Sequence, residues 1–324
     1  MSEERGPTVA ASIVVGANEA MIFGCLKSLF ATTRDANLSV SVTVVDNNTR
    51  GTVAERIREA FPAVRVIRNT SRRGFAANHN AVLADASADY LLILNDDVVF
   101  LEGSLECAVA FLEDREQGDV GVVGPMLLNP DRTLQPSTYS FPAVARALFD
   151  IAGLRDMVPT THRLFRFARL VGKGSGRSRF WAHDRICDVE TFAGAFMLVR
   201  RSVWESVGGM DEAALVGGED TEWHYRIWQA GWRVVFLPDA KVIHFGSETV
   251  GRTAGVRMEY LKGYLNFFRR HRSRLTFVVF ATMAASVFSL RWVVSSVLGN
   301  AARRAEDAAG LRTALQWLPV VKRR

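Results

Sequence analysis

Between Val9 and Asp97 short β-rich runs alternate with helical stretches, and this alternation limits the fold more tightly than any composition figure. The runs cover residues 11–15, 39–45, 64–67 and 90–94, and the helical stretches between them cover 19–31, 52–61 and 74–86. A β-α-β-α-β-α-β order of this kind builds a mostly parallel sheet flanked by helices. Right-handed crossovers then bring the carboxyl ends of all four strands to one edge. Four polar loops converge there: Gly16-Ala17-Asn18-Glu19, Asp46-Asn47-Asn48-Thr49, Arg72-Arg73-Gly74 and Asn95-Asp96-Asp97. Open α/β sheets bind their ligands at that edge.

The last of these loops is the most telling. Tyr90-Leu91-Leu92-Ile93-Leu94 is an unbroken apolar run, as expected of a strand covered on both faces, and it ends in Asn95 and two adjacent carboxylates. Two acids side by side repel and call for a cation. As a bare motif, however, Asn-Asp-Asp is also ordinary turn chemistry after a strand, and both readings stand at this point.

The charge of the chain is unevenly divided. Residues 251–324 carry 14 Lys and Arg against 3 Asp and Glu, a net +11, which leaves residues 1–250 at −5. A mildly acidic body gives no sign of a nucleic-acid groove, so no nucleic-acid partner is expected. A basic, apolar tail suits an anionic membrane surface, although a soluble basic helix face has the same composition. Three widely separated cysteines, Cys25, Cys107 and Cys187, make neither a disulfide framework nor a zinc knuckle. The polar N-terminus lacks the basic-then-apolar layout of a secretory signal, and the expected location is the cytoplasmic face of the cell membrane.

Residues 1–250 are expected to form one domain, with an irregular insertion near 130–188. That insertion contains the glycine- and base-rich stretch Gly172-Lys173-Gly174-Ser175-Gly176-Arg177, which does not match a phosphate loop. Before it come a helix at 105–113 and an apolar segment at 120–128. After it, strand character is expected at 195–199, a helix at 201–207, a second helix opening at Glu219 and Asp220, and two short strands at 232–237 and 241–244. In the tail, Met258, Leu261, Leu265 and Phe268 follow helical spacing. The uncharged run 275–290, and its continuation past Arg291 to Gly299, approaches the roughly 20 residues of a membrane span. An interfacial or re-entrant helix pair is the preferred reading, given the basic and aromatic flanks.

Taken in order, Val14-Val15-Gly16-Ala17-Asn18, Val44-Val45-Asp46-Asn47-Asn48, Gly74-Phe75-Ala76-Ala77-Asn78-His79-Asn80, Asn95-Asp96-Asp97, Gly218-Glu219-Asp220 and His244 resemble the family-2 inverting glycosyltransferases of the GT-A fold. The nearest likeness is to bacterial rhamnosyltransferases. The resemblance implies a divalent metal, Mg2+ or Mn2+, with Asp97 as principal ligand and His244 as a late histidine that ligates it in some members. It places Asp96, Asp46, Gly74 and the Ala17-Asn18 loop on the nucleotide-sugar donor, and Asp220 at the catalytic base. Asn95 departs from the commoner Asp-x-Asp pattern, and Glu19 stands where Arg or Lys is frequent.

The chemistry is consistent with that likeness. A nucleoside diphosphate leaves readily once a hard cation absorbs its developing charge, so one carboxylate that deprotonates the acceptor hydroxyl suffices. A glycoside hydrolase would instead need two carboxylates flanking the bond. The implied reaction moves a sugar, with dTDP-rhamnose a candidate donor, onto a glycan or polyprenyl-diphosphate-linked acceptor in cell-envelope polysaccharide synthesis. The alternatives are a nucleotidyltransferase, which the lack of a lysine-bearing glycine loop disfavours, and a non-enzymatic nucleotide- or glycan-binding protein.

Overall fold

A computed structural model of the chain describes residues 6–15, 19–47, 51–153, 182–212, 217–246 and 254–318. These fall into two compact units. The first gathers the described residues of Met1–Ser140, Ala168–Leu215 and Asp220–Thr249, and the second those of Phe141–Phe167, Val216–Glu219 and Val250–Arg324.

The first unit is built on a mixed, mostly parallel sheet flanked by helices. Its amino-terminal half follows the expected alternation: β1 (Thr8–Val15), α1 (Glu19–Thr33), β2 (Ser39–Asp46), α2 (Val53–Ala60), β3 (Arg65–Arg68), α3 (Phe75–Leu83) and β4 (Tyr90–Asn95). Then come β5 (Val98–Phe100), α4 (Ser104–Glu113), β6 (Val120–Leu128), β7 (Leu134–Gln135), β8 (Thr138–Tyr139), β9 (Cys187–Asp188), β10 (Thr191–Phe192), β11 (Phe196–Arg200), α5 (Arg201–Val207), α6 (Glu219–Gln229) and β12 (Arg233–His244). The strand order is β3-β2-β1-β4-β11-β6-β12-β5. The first four strands are parallel, and β11 runs antiparallel to both β4 and β6.

Alternate side chains of the inner strands serve opposite faces. Val9, Ala11, Ile13 and Val15 of β1, with Leu92 and Leu94 of β4, pack with Ile22, Leu26 and Leu29 of α1. Leu91 and Ile93 join Trp223 and Ile227 on the other side. Burial on both faces explains why β4 reads as continuous hydrocarbon. Only Asp96 and Asp97 separate β4 from β5, a reach of roughly 11 Å, yet β5 closes the far edge of the sheet. The sheet therefore curls back on itself at these two acids.

Two expectations change. The two short strands at 232–237 and 241–244 are one strand, β12, whose pairing with β6 shifts register between Leu237 and Lys241. Pro238 lies in that interval and has no N–H to give to a ladder. The region 130–188 is not wholly irregular: it contributes β7, β8 and β9, too short to show periodicity, and a further helix at Val144–Ile151. Its glycine- and base-rich stretch at 172–177 lies outside the described residues, as do Ala17 and Asn18.

The second unit is helical. Its longer elements are α7 (Ala254–His271), α8 (Arg274–Val297) and α9 (Ala301–Trp317), and its core joins Leu261, Leu265, Phe268, Phe280, Ala284 and Phe288 to Ala147 and Ile151 of the Val144–Ile151 helix. Ser273 caps α8 by accepting the Thr276 N–H at 3.1 Å. The uncharged run 275–290 and its continuation past Arg291 lie in one 24-residue helix, long and apolar enough to cross a membrane, with a third of its most apolar window buried in the protein. Arg291 does not interrupt it because its guanidinium meets Asp307, 2% exposed, at 2.8 Å, and donates to the Ile151 carbonyl at 2.8 Å. Ser295 Oγ donates to the second Asp307 oxygen at 3.0 Å. At Gly310 any Cβ would run into the Phe288 ring, which sets how closely α9 lies on α8.

Removing one partner of a buried pair strands the other's charge. Asp307→Ala should therefore lower stability by about 3 kcal/mol, read as an earlier midpoint in urea at unchanged slope, whereas Asp307→Asn should cost less because it still accepts from Arg291. Equal midpoints for wild type and Asp307→Ala would show that the pair does not hold the helices together.

Candidate functional site

Register brings Asp97 and His244 together. On β12, His244 stands opposite Val98 of β5, and the next residue, Phe245, donates its N–H to the Asp97 carbonyl at 3.1 Å. The His244 Nε2 consequently lies 3.3 Å from Asp97 Oδ1. Asn95 Nδ2 is 3.4 Å from the same nitrogen. Asp96 and Asp97 are both buried, and the negative field they create is felt beneath them. The Cys25 thiol, which donates to the Asn95 carbonyl at 3.7 Å, has its pKa pushed up by burial and then by Asp96 and Asp97.

Among the described residues no three or more His, Cys, Asp or Glu side chains gather in a metal-holding group. The Asp97–His244 pair nonetheless fits a divalent cation: it offers one carboxylate oxygen and one imidazole nitrogen facing the same point. Mg2+ is usually held by one or two carboxylates while substrate phosphates and water complete its shell, so two protein donors are a sufficient start.

Asp220 sits in the first turn of α6. Its Oδ2 accepts the Gly194 N–H at 3.1 Å and its Oδ1 accepts the Thr221 N–H at 2.6 Å. Burial pushes its pKa up, and these donors oppose the rise without cancelling it. Gly194 matters here because a Cβ at that position would lie 3.3 Å from the Asp220 Cβ. The next residue, Ala195, accepts the Asn95 N–H at 3.0 Å, which ties the Asp220 carboxyl to the end of β4. Thus Asp96, Asp97, His244 and Asp220 share one corner of the sheet.

Asp46 ends β2, opposite Val15 of β1 and Arg68 of β3. It is fully buried, with Arg68 Nε 3.5 Å from its carboxylate. Gly74 is the N-terminal cap residue of α3 and accepts Asn78 Nδ2 at 2.9 Å. Asn69 holds these two positions together, donating to Asn47 Oδ1 at 3.0 Å and to Asn78 Oδ1 at 2.7 Å, while Asn47 Oδ1 also accepts the Arg73 N–H at 3.0 Å. Sequence reasoning missed Asn69 altogether. It quoted Asn78 without giving it a task, although a buried asparagine just inside a helix is a signal of loop fixation.

Two buried histidines, His79 and His224, are structural. His79 bonds Ser12 Oγ through Nδ1 at 2.8 Å and His224 bonds Thr191 Oγ1 at 2.8 Å. Burial lowers both pKa values to about 3, so both rings are neutral at ordinary pH.

A family model described as Glycosyltransferase like family 2 matches residues 7–270. The chain belongs to glycosyltransferase family 2. Among its curated relatives, the N-acetylglucosaminyl-diphospho-decaprenol L-rhamnosyltransferase of Mycobacterium tuberculosis is 27% identical over 229 residues, 66% of this chain and 69% of the relative. The O-antigen biosynthesis protein RfbC of Myxococcus xanthus is 27% identical over 73% of this chain but only 17% of its own length. Solved structures of the same fold include a mannosyltransferase from Pyrobaculum calidifontis in complex with GDP-Man and Mn2+, with TM-score 0.55 and 16% identity over 96% of this chain and 88% of that one. GalNAc-T7 with UDP, GalNAc and Mn2+ superposes with TM-score 0.58 and 17% identity over 89% of this chain and 52% of that one. This glycosyltransferase thus has the GT-A fold.

The asparagine network makes a prediction of its own. Asn78→Ala removes an acceptor from Asn69 and unties Gly74, and unpairing a buried amide costs about 1–3 kcal/mol. The urea midpoint should move down accordingly, and an unmoved midpoint would mean that solvent replaces the lost bonds.

Proposed function

We propose that this glycosyltransferase is metal-dependent and inverting, and that it moves a sugar from a nucleotide-diphosphate donor to a polyprenyl-diphosphate-linked glycan in cell-envelope polysaccharide synthesis. The first donor to test is dTDP-rhamnose. The observation that carries the reading is the placement, at one sheet corner, of the Asp97–His244 pair beside a separate carboxyl, Asp220, whose proton affinity is raised. The mycobacterial relative's name, which specifies a rhamnosyl transfer to a polyprenyl-diphosphate-linked sugar, supports the acceptor class. The Mn2+ in both structural neighbours supports the cation.

In this reading Asp97 and His244 hold the cation, and Asp46, Gly74 and Asp96 line the donor, with Ala17 and Asn18 assigned there by family likeness alone. The bound cation supplies positive charge to the departing diphosphate. Asp220 accepts the proton of the acceptor hydroxyl as that oxygen bonds to the anomeric carbon from the face opposite the leaving group. The carbon–oxygen bond to the diphosphate breaks, the nucleoside diphosphate takes the electron pair, and configuration inverts. A raised pKa makes Asp220 the better proton acceptor, provided the working pH keeps it ionised.

Two variants separate the roles. Asp220→Asn should bind donor with near-normal affinity while turnover falls about 10²-fold or more. Asp97→Asn should lose turnover and Mn2+-dependent donor binding together. In the wild type, activity should rise with pH through the Asp220 pKa, placing the acidic limb above the ordinary 3.8. Collapse of donor affinity in Asp220→Asn would move that residue to the donor site.

The second unit supports a membrane partner. Leu275 and Leu290, 73% and 67% exposed, lie with Val279, Met283, Val294 and Val297 on one exposed apolar stripe of α8. The exposed Arg270, Arg274, Arg303 and Arg304 provide cationic charge on the same unit. Truncating the tail would also uncover Ala147 and Ile151, so point changes test the idea more cleanly. Leu275→Ser, Val279→Ser and Leu290→Ser combined should weaken binding to vesicles containing anionic lipid by about tenfold or more with little change in melting temperature. Undiminished vesicle binding by the folded triple variant would exclude this stripe as the anchor.

A further inference from the structure

His244 is held from behind by a hairpin to which no role has been assigned. Strands β6 and β7 pair Leu127 with Gln135 and Leu128 with Leu134. The turn between them has Pro130 near its start and Arg132 at φ 64°, the left-handed residue that closes a three-residue hairpin loop, with the Asn129 N–H donating to the Thr133 carbonyl at 2.8 Å. From this turn a chain of side-chain hydrogen bonds leads to the imidazole, and the polarity of each bond is fixed by the one before it.

Asp131 starts the chain. The Thr133 hydroxyl and N–H, at 2.6 and 3.0 Å from its Oδ1, hold its carboxyl below the usual range, so it is a pure acceptor and the Thr133 hydroxyl must donate to it. Thr133 Oγ1 can then accept Asn129 Nδ2 at 2.9 Å. With its amide nitrogen turned that way, Asn129 presents Oδ1 to Gln135 Nε2 at 3.1 Å. The second hydrogen of Gln135 Nε2 goes to the His244 carbonyl at 3.2 Å. Both Gln135 hydrogens are spent, and Oε1 faces His244 Nδ1 at 2.7 Å. Nδ1 therefore carries a hydrogen, and in the neutral ring Nε2 carries a lone pair. Asn95 Nδ2, 3.4 Å from Nε2, has the polarity to donate to it.

We infer that Gln135, oriented by the Asp131–Thr133–Asn129 relay, is a positioning residue that fixes His244 in its Nδ1–H tautomer and aims the Nε2 lone pair, alongside Asp97, at a single divalent cation. The inference rests on the proposed role of the Asp97–His244 pair as a cation site. It adds to that reading the reason the imidazole presents Nε2, and it gives the β6–β7 hairpin a task. Partners of this kind behind a ligating histidine change metal affinity by about 10–100-fold when removed.

The test uses the full chain and two readouts. Nitrogen-15 shifts of His244, measured without metal at a pH where the ring is neutral, report the tautomer; Mn2+ titration followed by electron paramagnetic resonance reports affinity without any donor sugar. Gln135→Met should let the Nε2–H tautomer appear and weaken Mn2+ binding about tenfold or more. Gln135→Glu, which keeps an acceptor at Nδ1, should retain the wild-type tautomer and bind Mn2+ within a few-fold of wild type. If Gln135→Met keeps both the tautomer and the affinity, the relay does not position His244. If both variants lose affinity equally with the tautomer unchanged, Gln135 is merely structural and the inference fails. Failure of the cation reading looks different: wild type and His244→Ala would then bind Mn2+ alike, while the tautomer in Gln135→Met would still change.

Discussion

The approach of Asp97 Oδ1 to His244 Nε2 at 3.3 Å is the contact on which the organisation of the first unit turns. A carboxylate oxygen and an imidazole nitrogen sit that close without repulsion only when a proton or a cation lies between them. Holding them there takes two strands of fixed register: β5, which begins one residue after Asp97, and β12, which ends at His244. The register shift between Leu237 and Lys241 lets one strand serve both ends. Val234, Val235, Phe236 and Leu237 bury its first part, and the remainder is free to follow the curl of the sheet toward β5. Hydrophobic burial anchors the strand, and register converts that anchoring into the placement of a side chain.

The same corner sets two kinds of carboxyl apart. Asp97 faces an imidazole, whereas Asp220 faces backbone N–H groups and is desolvated. A shared solvent would give the two acids similar proton affinities. Burial raises the proton affinity of Asp220, and it is this difference in surroundings on which the roles proposed for the two acids rest. The buried histidines show the complementary case: His79 and His224, each with a single hydroxyl partner, are kept neutral by burial and so add no charge within the first unit.

The amino-terminal half of the sheet was legible because parallel strands buried on both faces leave long apolar runs, and because the crossovers leave helices of ordinary length. The polar strand ends carrying Asp46 and Asn95 to Asp97 could be read for the same reason. The region 130–188 was opaque on physical grounds: a two-residue strand such as Leu134–Gln135 has no period, and its role comes from a partner 109 residues away in sequence. The helix at Val144–Ile151 was a different kind of miss, since Val144, Ala147, Leu148 and Ile151 do follow helical spacing. Arg291 is the one charge in the apolar run 275–299, and what accommodates it could not be read from the run itself, because its partner Asp307 lies on the next helix.

That partner also bears on the membrane contact proposed for α8. Were α8 to cross the hydrocarbon, α9, bound to it through the Arg291–Asp307 pair and the close contact at Gly310, would be carried in as well. The exposed Arg303, Arg304 and Arg312 of α9 would then face lipid, each costing about 2.5–3.5 kcal/mol near the centre of a bilayer on an insertion scale. A helix lying along the interface avoids that cost. Its stripe from Leu275 to Val297 can enter the headgroup boundary while α9 and its arginines stay among water and anionic phosphates. Within the proposed membrane reading, the buried ion pair thus favours attachment to one leaflet over a membrane span, because it makes α8 one wall of a helical unit whose opposite wall is charged.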